Sequence, residues 1–393
     1  MLRIKVLALS AMFAAAAVAS AQEYLPEWHE GWMDLHSIST GMGESHLYIL
    51  PDGTTMLCDA GDIGKFGVDV HLPDRSRTPG GWIADYIKSF SPSTNLDYAL
   101  MTHFHEDHMG NAEERSGIRA VSDAGIRFGK LVDRGVPATD YFETFYTAFR
   151  DSLKASGTRV EAFRIGSRRQ FRLKHSPRKY DFEFYNIAAR SRMACKGLFR
   201  RTRSLWPKGY KPEKHDENTM SCVFTMRYGP FKYYNGGDFC GNNYKKHHPA
   251  PRNFESQIAP LVGRVSVMEL DHHGGFDTTN PDFLWTLGPD VALVSCWHPW
   301  QPDPAVVDRL SDPVYPGRRD IYRTLDLADE ELGPERVARL KPSGHIVVRV
   351  YEGGETFQVF VLDASKADRP VIYKSDILQS RMSEADALIR QTP

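Results

Sequence analysis

Three histidines and an aspartate fall within six positions in Thr102-His103-Phe104-His105-Glu106-Asp107-His108-Met109-Gly110. Imidazole and carboxylate side chains at this density suit a divalent metal, zinc first, with iron or manganese as alternatives. The apolar run Leu96 to Met101, bounded by Pro92-Ser93-Thr94-Asn95, reads as a buried strand delivering them. In a helix each residue turns by ~100°, which would set His103 and His105 on nearly opposite sides. An extended segment puts both on one face, because the strand period is two. Asp107 and His108 then fall where the chain must bend at Met109-Gly110, and as adjacent residues they diverge. This second pair can therefore serve a metal beside the first. A histidine-rich surface loop would need no buried strand leading into it.

Further candidates end other strand-like runs. Leu35 to Ile38 and Leu47 to Leu50 read as a hairpin, Pro51-Asp52-Gly53 as a turn, and Thr54 to Gly61 as a strand closing on Asp59. Asp59 is either an acid behind a ligating histidine or a turn cap. Cys222 to Tyr228 and Phe231 to Asn235 form a hairpin running into Gly236-Gly237-Asp238. An aspartate at a strand end, behind two glycines that permit close backbone approach, is placed to bridge two metals. Val265 to Leu270 is a strand running into Asp271-His272-His273-Gly274. Ligands at successive strand ends, with helices such as 80–90 between, describe an α/β sandwich with its site along one sheet edge.

At 393 residues, with 41% hydrophobic and 25% charged, the chain suits a globular protein, neither disordered nor membrane-spanning. Residues 1–21 read as a signal peptide: Arg3 and Lys5, an alanine-rich apolar run, then Ala19-Ser20-Ala21. The apolar run is shorter than the ~18 residues of a membrane span, so the expectation is an exported, periplasmic or extracellular protein without stable membrane insertion. Residues 22–393, read as one domain, carry 47 basic and 50 acidic residues. Five widely spaced cysteines do not make a disulfide framework. Residues 112–217 read as a long insertion, and between Arg164 and Lys214 there are sixteen Lys or Arg against three acids, interleaved with aromatics. That asymmetry points to an anionic small-molecule or polymer substrate, nucleic acid among the candidates. The segments 344–350 and 356–362 read as a hairpin at the edge of a second sheet, and a weak helical stripe follows (Ile377, Leu378, Met382, Ala385, Leu388).

The succession Thr-His-Phe-His-Glu-Asp-His, Gly-Gly-Asp and His-His-Gly resembles the metallo-β-lactamase superfamily, and within it the hydrolase domain of competence-type DNA-uptake proteins. Asp59-Ala60-Gly61-Asp62, Glu217-Asn218 through Ser221, Pro289 to Ser295 and His298-Pro299 also fit, so the likeness covers about residues 35–363. It implies a four-layer αββα sandwich and two metal ions. His103 and His105 would hold one ion, Asp107, His108 and His272 the other, with Asp238 bridging. His272 is preferred to His273 as the nearer to the strand end, leaving His273 as a substrate contact or proton donor. His298 is placed to bind substrate or simply to pack among Trp297, Pro299 and Trp300. Many members supply a third histidine to the first metal from a Gly-His-Thr segment that this chain lacks; His215, Asn218 or water would complete that site. Cys240 comes two residues too late to stand where many β-lactamases carry cysteine, which argues against antibiotic hydrolysis.

Zinc lowers the pKa of bound water to ~7. The expected activity is hydrolysis of a phosphodiester or other anionic ester by a metal-bound hydroxide, with Asp107 helping to orient it. A lactonase or thioesterase using the same metals is one alternative. A non-catalytic protein binding polyanions is another.

Overall fold

The computed structural model describes residues 22–64, 68–111, 115–135, 142–195, 197, 201–210, 216–239, 241 and 253–381. Two mixed β-sheets form its framework. The first runs Val371–Lys374, Thr356–Leu362, His345–Val350, Met33–Ser37, Ser45–Ile49, Thr55–Ala60, Asn95–Met101, Arg127–Asp133, Arg159–Ala162, with Leu378–Gln379 beside Thr356–Leu362. The second runs Asp320–Arg323, Val291–Val294, Val267–Glu269, Phe231–Asn235, Val223–Tyr228, Phe182–Ala189, Arg192–Ala194, Thr202–Ser204.

Alternation along the strands makes the layers. Tyr48, Leu50, Met56 and Cys58 face a core shared with Phe184, Phe224, Tyr233 and Leu293 of the second sheet. Their neighbours Leu47, Ile49 and Leu57 face the opposite way, against Ile83, Ile87, Val121 and Phe149 of flanking helices. The second sheet likewise packs Met268, Ala292 and Val294 against Ile258, Leu284 and Val307 of its own helices. The result is a four-layer αββα sandwich, as expected. Phe224 stacks on Phe184 at 4.6 Å between the sheets, and truncating such a ring typically costs ~3–5 kcal/mol.

Helix Pro79–Phe90 shows the local logic. Thr78 accepts the Gly81 N–H, proline opens the first turn, and Trp82, Ile83, Tyr86 and Ile87 are buried at helical spacing.

The strands Thr55–Ala60, Asn95–Met101, Arg127–Asp133 and Arg159–Ala162 are mutually parallel. So are Phe231–Asn235, Val267–Glu269, Val291–Val294 and Asp320–Arg323. Parallel strands deliver their C-terminal ends to one edge of each sheet, the usual ligand edge of open α/β sheets.

Three expectations need correcting. The stretch 112–217 is woven into the sandwich: it supplies two strands to the first sheet and three to the second, and Phe163, Phe171 and Phe184 sit in the inter-sheet core. The hairpin His345–Val350 and Thr356–Leu362 lies inside the first sheet, because His345–Val350 pairs with Met33–Ser37 and Thr356–Leu362 is covered by later strands. Where a helical stripe was read, Leu378–Gln379 is a short strand; residues 382–393 lie outside the described residues, as does the expected signal peptide. Among the described residues no helix is long and apolar enough to cross a membrane.

Candidate metal centre

The strand Asn95–Met101 ends, and the next residues bring His103 and His105 together, His103 Nε2 lying 3.1 Å from His105 Nδ1. His105 keeps an extended backbone and opens the short helix Glu106–Met109, which carries Asp107 and His108; both side chains converge on His273 Nε2, at 3.2 and 3.3 Å. Gly110 ends that helix at positive φ, where a Cβ would lie 2.4 Å from the Gly117 Cα.

Asp238 sits between the two groups. Its Oδ1 is 2.9 Å from His108 Nε2 and 3.4 Å from His273 Nε2. Its Oδ2 is 3.6 Å from His103 Nε2 and 3.7 Å from His272 Nε2. The preceding glycines are required by their neighbours. A Cβ on Gly236 would stand 2.2 Å from Asp271 Oδ1, and Gly237, at φ +54, would meet Thr102 at 2.8 Å.

The tandem histidines occupy the opposite stations from those expected. Both have left-handed backbones (φ 48 and 56), a strained conformation often kept at functional sites. It swings the fully buried His273 to 3.2 Å from Asp107 and 3.3 Å from His108. His272 goes to the His103 side and stays 27% exposed in its side chain. Proximity to the strand end was a poor guide because the chain turns at this pair. A buried His273 is also poorly placed to touch substrate; the open ring is His272.

Three rings are backed from behind. His108 Nδ1 lies 2.8 Å from Asp59, His272 Nδ1 2.8 Å from Asp277, and His273 Nδ1 2.8 Å from the Ser295 carbonyl. Asp59 is thus the acid behind a histidine; its own carboxylate also accepts the Thr102 N–H and hydroxyl at 2.7 and 2.6 Å. Donating Nδ1–H to these acceptors leaves Nε2 as a lone pair on each ring. Yet His108 Nε2 and His273 Nε2 face each other at 3.3 Å. Two lone pairs cannot share a hydrogen bond, so the arrangement calls for a proton or a cation between them.

The electrostatics agree. Burial opposes charge on His108 and His273, but Asp238 and its fellow carboxylates hold both well above the usual histidine range. Burial, aided by the neighbouring imidazoles, pushes His103 well below it. Burial would raise Asp107 and Asp238, yet the surrounding histidines hold both below the ordinary carboxylate range. Buried carboxylates kept ionised by imidazoles, with ring nitrogens converging, fit divalent metal ions that would take the protons' place. Among the described residues, three groups each bring their ligand atoms within 4.8 Å of one another: His103, His105 and Asp238; Glu44, His108, Asp238 and His273; and, behind the second, Glu44, His46 and Glu269.

Asn218 faces the first group, its Nδ2 3.2 Å from His272 Nε2, and its Oδ1 is buried without a hydrogen-bond partner. His215 lies outside the described residues. His298 packs between Trp297 (ring centroids 5.3 Å) and Trp300 (4.6 Å). Trp297 donates its indole N–H to His273 Nε2 at 3.3 Å, so His298 belongs to the rim of this centre.

No protein-family model matches the chain. A 97-residue stretch is 30% identical to Recombination protein 2 of Haemophilus influenzae, covering 24% of this chain and only 11% of that protein. Among solved structures, the diiron β-hydroxylase CmlA of Streptomyces venezuelae is 12% identical, covering 71% of this chain and 46% of CmlA at TM-score 0.36. A putative metal-dependent hydrolase from Parabacteroides distasonis is 11% identical (74% and 92%, TM-score 0.35). Yeast PDE1 is 10% identical (81% and 99%, TM-score 0.37). At these scores the likenesses carry no argument about activity.

One site residue escaped the sequence reading. Glu44 lies between the two runs read as a hairpin, yet it is buried and its Oε2 is 3.3 Å from His273 Nδ1. Its backbone N–H donates to the Asp107 carbonyl at 2.8 Å and its carbonyl accepts from Gly61. A Cβ on Gly61 would stand 2.0 Å from the Asp107 oxygen, and one on Gly43 2.5 Å. The available signal was Gly41-Met42-Gly43 directly before an acid. Behind Glu44, His46 Nε2 lies 2.8 Å from its Oε1, and Glu269 holds the Ser295 hydroxyl and N–H. Glu44→Gln is expected to weaken metal binding at the group of His108, Asp238 and His273 by ~10–100-fold, the usual effect of losing a supporting carboxylate. Competitive chelator titration would show one site weakened and the other unchanged; two unchanged sites would exclude the role.

The basic stretch divides. The backbone N–H groups of His175 and Ser176 donate to Asp52, and that of Lys174 to Thr54 Oγ1. Those partners stand at the start of the strand whose far end carries Asp59, about 20 Å away at ~3.3 Å per residue. This segment cannot neutralise a substrate at the metal centre. Elsewhere Arg168 pairs with Glu183 and Arg164 with Glu161. Arg190 turns inward to the carbonyls of Arg134 and Phe163.

Proposed function

We propose that this chain is an exported, dinuclear metal-dependent hydrolase of the metallo-β-lactamase type, acting on a phosphodiester or other anionic ester. The observation that carries the reading is Asp238, whose two oxygens address two separate imidazole groups from a buried position. His103, His105 and Asp238 would hold one ion, with His272 and Asn218 beside it. Asp107, His108, His273 and Asp238 would hold the other. Zinc is the first choice for imidazole-rich ligand sets, with iron or manganese as alternatives. Bound there, the metals would supply an acidified water and Lewis-acid polarisation of the ester oxygen. The protein's own part is to fix the rings through Asp59, Asp277, Ser295 and Glu44, and to leave His272 open toward substrate, with His298 packed at the rim. In the metal-free protein Asp238 and Asp277 oppose the burial of His272 and hold it up to about 9.

The anionic class rests on less of the basic stretch than its composition promised, since several arginines are paired internally. A partial likeness to a protein named for recombination favours a phosphodiester. Metal analysis after zinc reconstitution, with a chromogenic panel of phosphodiesters, lactones and thioesters, tests the reading. Two ions per chain and phosphodiester turnover are expected. Lactone cleavage alone would move the activity to carbonyl hydrolysis. Salt-sensitive DNA binding that survives chelation, with no turnover, would favour the non-catalytic alternative.

A further inference from the structure

We propose that Trp300, supported by His298, is a stacking platform at the mouth of the metal centre, and that the substrate carries a planar aromatic ring beside its anionic ester. The inference rests on the hydrolase reading for the ester and on the rim itself for the ring.

Trp300 is 70% exposed and Phe276 43% exposed. They belong to the two loops that supply the site's buried end: Phe276 follows His272-His273, and Trp300 follows Ser295, whose carbonyl holds His273. Ring contacts run inward without a break, Trp300 to His298 at 4.6 Å, His298 to Trp297 at 5.3 Å, and Trp297 to His273 at 6.1 Å.

The loop that carries the exposed indole is held in place. Gln301 Oε1 accepts the N–H groups of both Trp297 and His298 at 3.1 Å, and the Gln301 N–H donates to the His298 carbonyl. The Asp303 N–H donates to the Gly274 carbonyl at 2.9 Å, tying the two loops together. Asp303 also caps the helix Pro304–Ser311. A Cβ on Gly274 would stand 3.0 Å from Pro302, which shows how closely the loops pack. Burial and the proximity of His273 keep the His298 ring below its ordinary pKa, so the second ring of the platform is uncharged near neutral pH. A solvent-facing indole on a fixed loop, in contact with the His298 ring at 4.6 Å, is built to stack with a flat partner.

Stacking of one base on an aromatic side chain is sequence-tolerant and is lost on alanine substitution by roughly tenfold or more in affinity. The test is calorimetric titration of the zinc-loaded protein with thymidine 5′-monophosphate, phenyl phosphate and methyl phosphate. At least one ring-bearing probe is expected to bind roughly tenfold tighter than methyl phosphate, and the tighter of the two identifies the source of the ring as base or aryl group. Trp300→Ala should bring the affinities within about threefold of one another, and Trp300→Phe should keep most of the preference. No ring preference in the wild type, or one that survives Trp300→Ala, overturns the platform. Turnover of chromogenic diesters on the same preparations separates the two readings. A ring preference without turnover sinks hydrolysis alone; turnover without a ring preference sinks the platform alone.

Discussion

Asp238→Ala is expected to lower turnover of whichever ester the protein cleaves by about a thousandfold or more, and to reduce bound zinc from two ions per chain to one or fewer. The size follows from where the carboxylate stands. It is buried and addresses His108 and His273 through one oxygen, His103 and His272 through the other. Removing it deletes a ligand from both groups at once. It also takes away the principal anion that the buried imidazoles of His108 and His273 face. Asp238→Asn keeps the shape and removes the charge, so metal loss with an unchanged fold by circular dichroism is expected from it as well. Two ions retained at wild-type affinity in Asp238→Asn would end the bridging assignment.

What could be seen in the sequence was whatever depends on short-range period. The strand before His103 and the bringing together of His103 and His105 are local consequences of chain geometry. So is the placing of Asp59, Asp238 and His272-His273 at strand ends. The expected divergence of Asp107 from His108 is not found, since both meet His273. Where the reading failed, the deciding facts were long-range or conformational. Two consecutive left-handed residues exchange the stations of His272 and His273, and no periodicity announces that. Glu44 acquires its role only because Gly43 and Gly61 let the Asp107 backbone press against it from a loop more than sixty residues away. The run of Lys and Arg looked like one basic surface because composition has no direction. Folded, the part at His175 and Ser176 is fastened to Asp52 at the far edge of the sheet, and Arg190 is turned inward. The C-terminal hairpin read correctly as a hairpin but not as interior, since its neighbour Met33–Ser37 lies at the other end of the chain.

The ion pair beneath the first histidines makes the other large prediction. Arg134, 1% exposed, presents its guanidinium to Glu217 in a two-pronged contact, with Nη2 2.9 Å from Oε2. Glu217 Oε1 also accepts the Phe104 N–H at 2.9 Å, and the guanidinium lies 4.0 Å over the Phe104 ring. The pair therefore clamps the residue between His103 and His105 from both backbone and side chain. Taking one member from a buried pair leaves a charge without compensation in a low-dielectric interior, which costs ~3–5 kcal/mol, whereas replacing both by apolar residues of similar volume is often near neutral. Glu217→Ala is accordingly expected to lose ~3–5 kcal/mol in denaturant unfolding. Arg134→Met combined with Glu217→Leu should recover most of that stability. The double variant still lacks the acceptor for the Phe104 N–H, so the His103–His105 loop stays loosened. Its first metal should bind about tenfold or more weakly, as for other losses of outer support, while the ion at Asp107, His108 and His273 holds as before. A stable double variant with both metals at wild-type affinity would show that Glu217 serves the fold and not the centre.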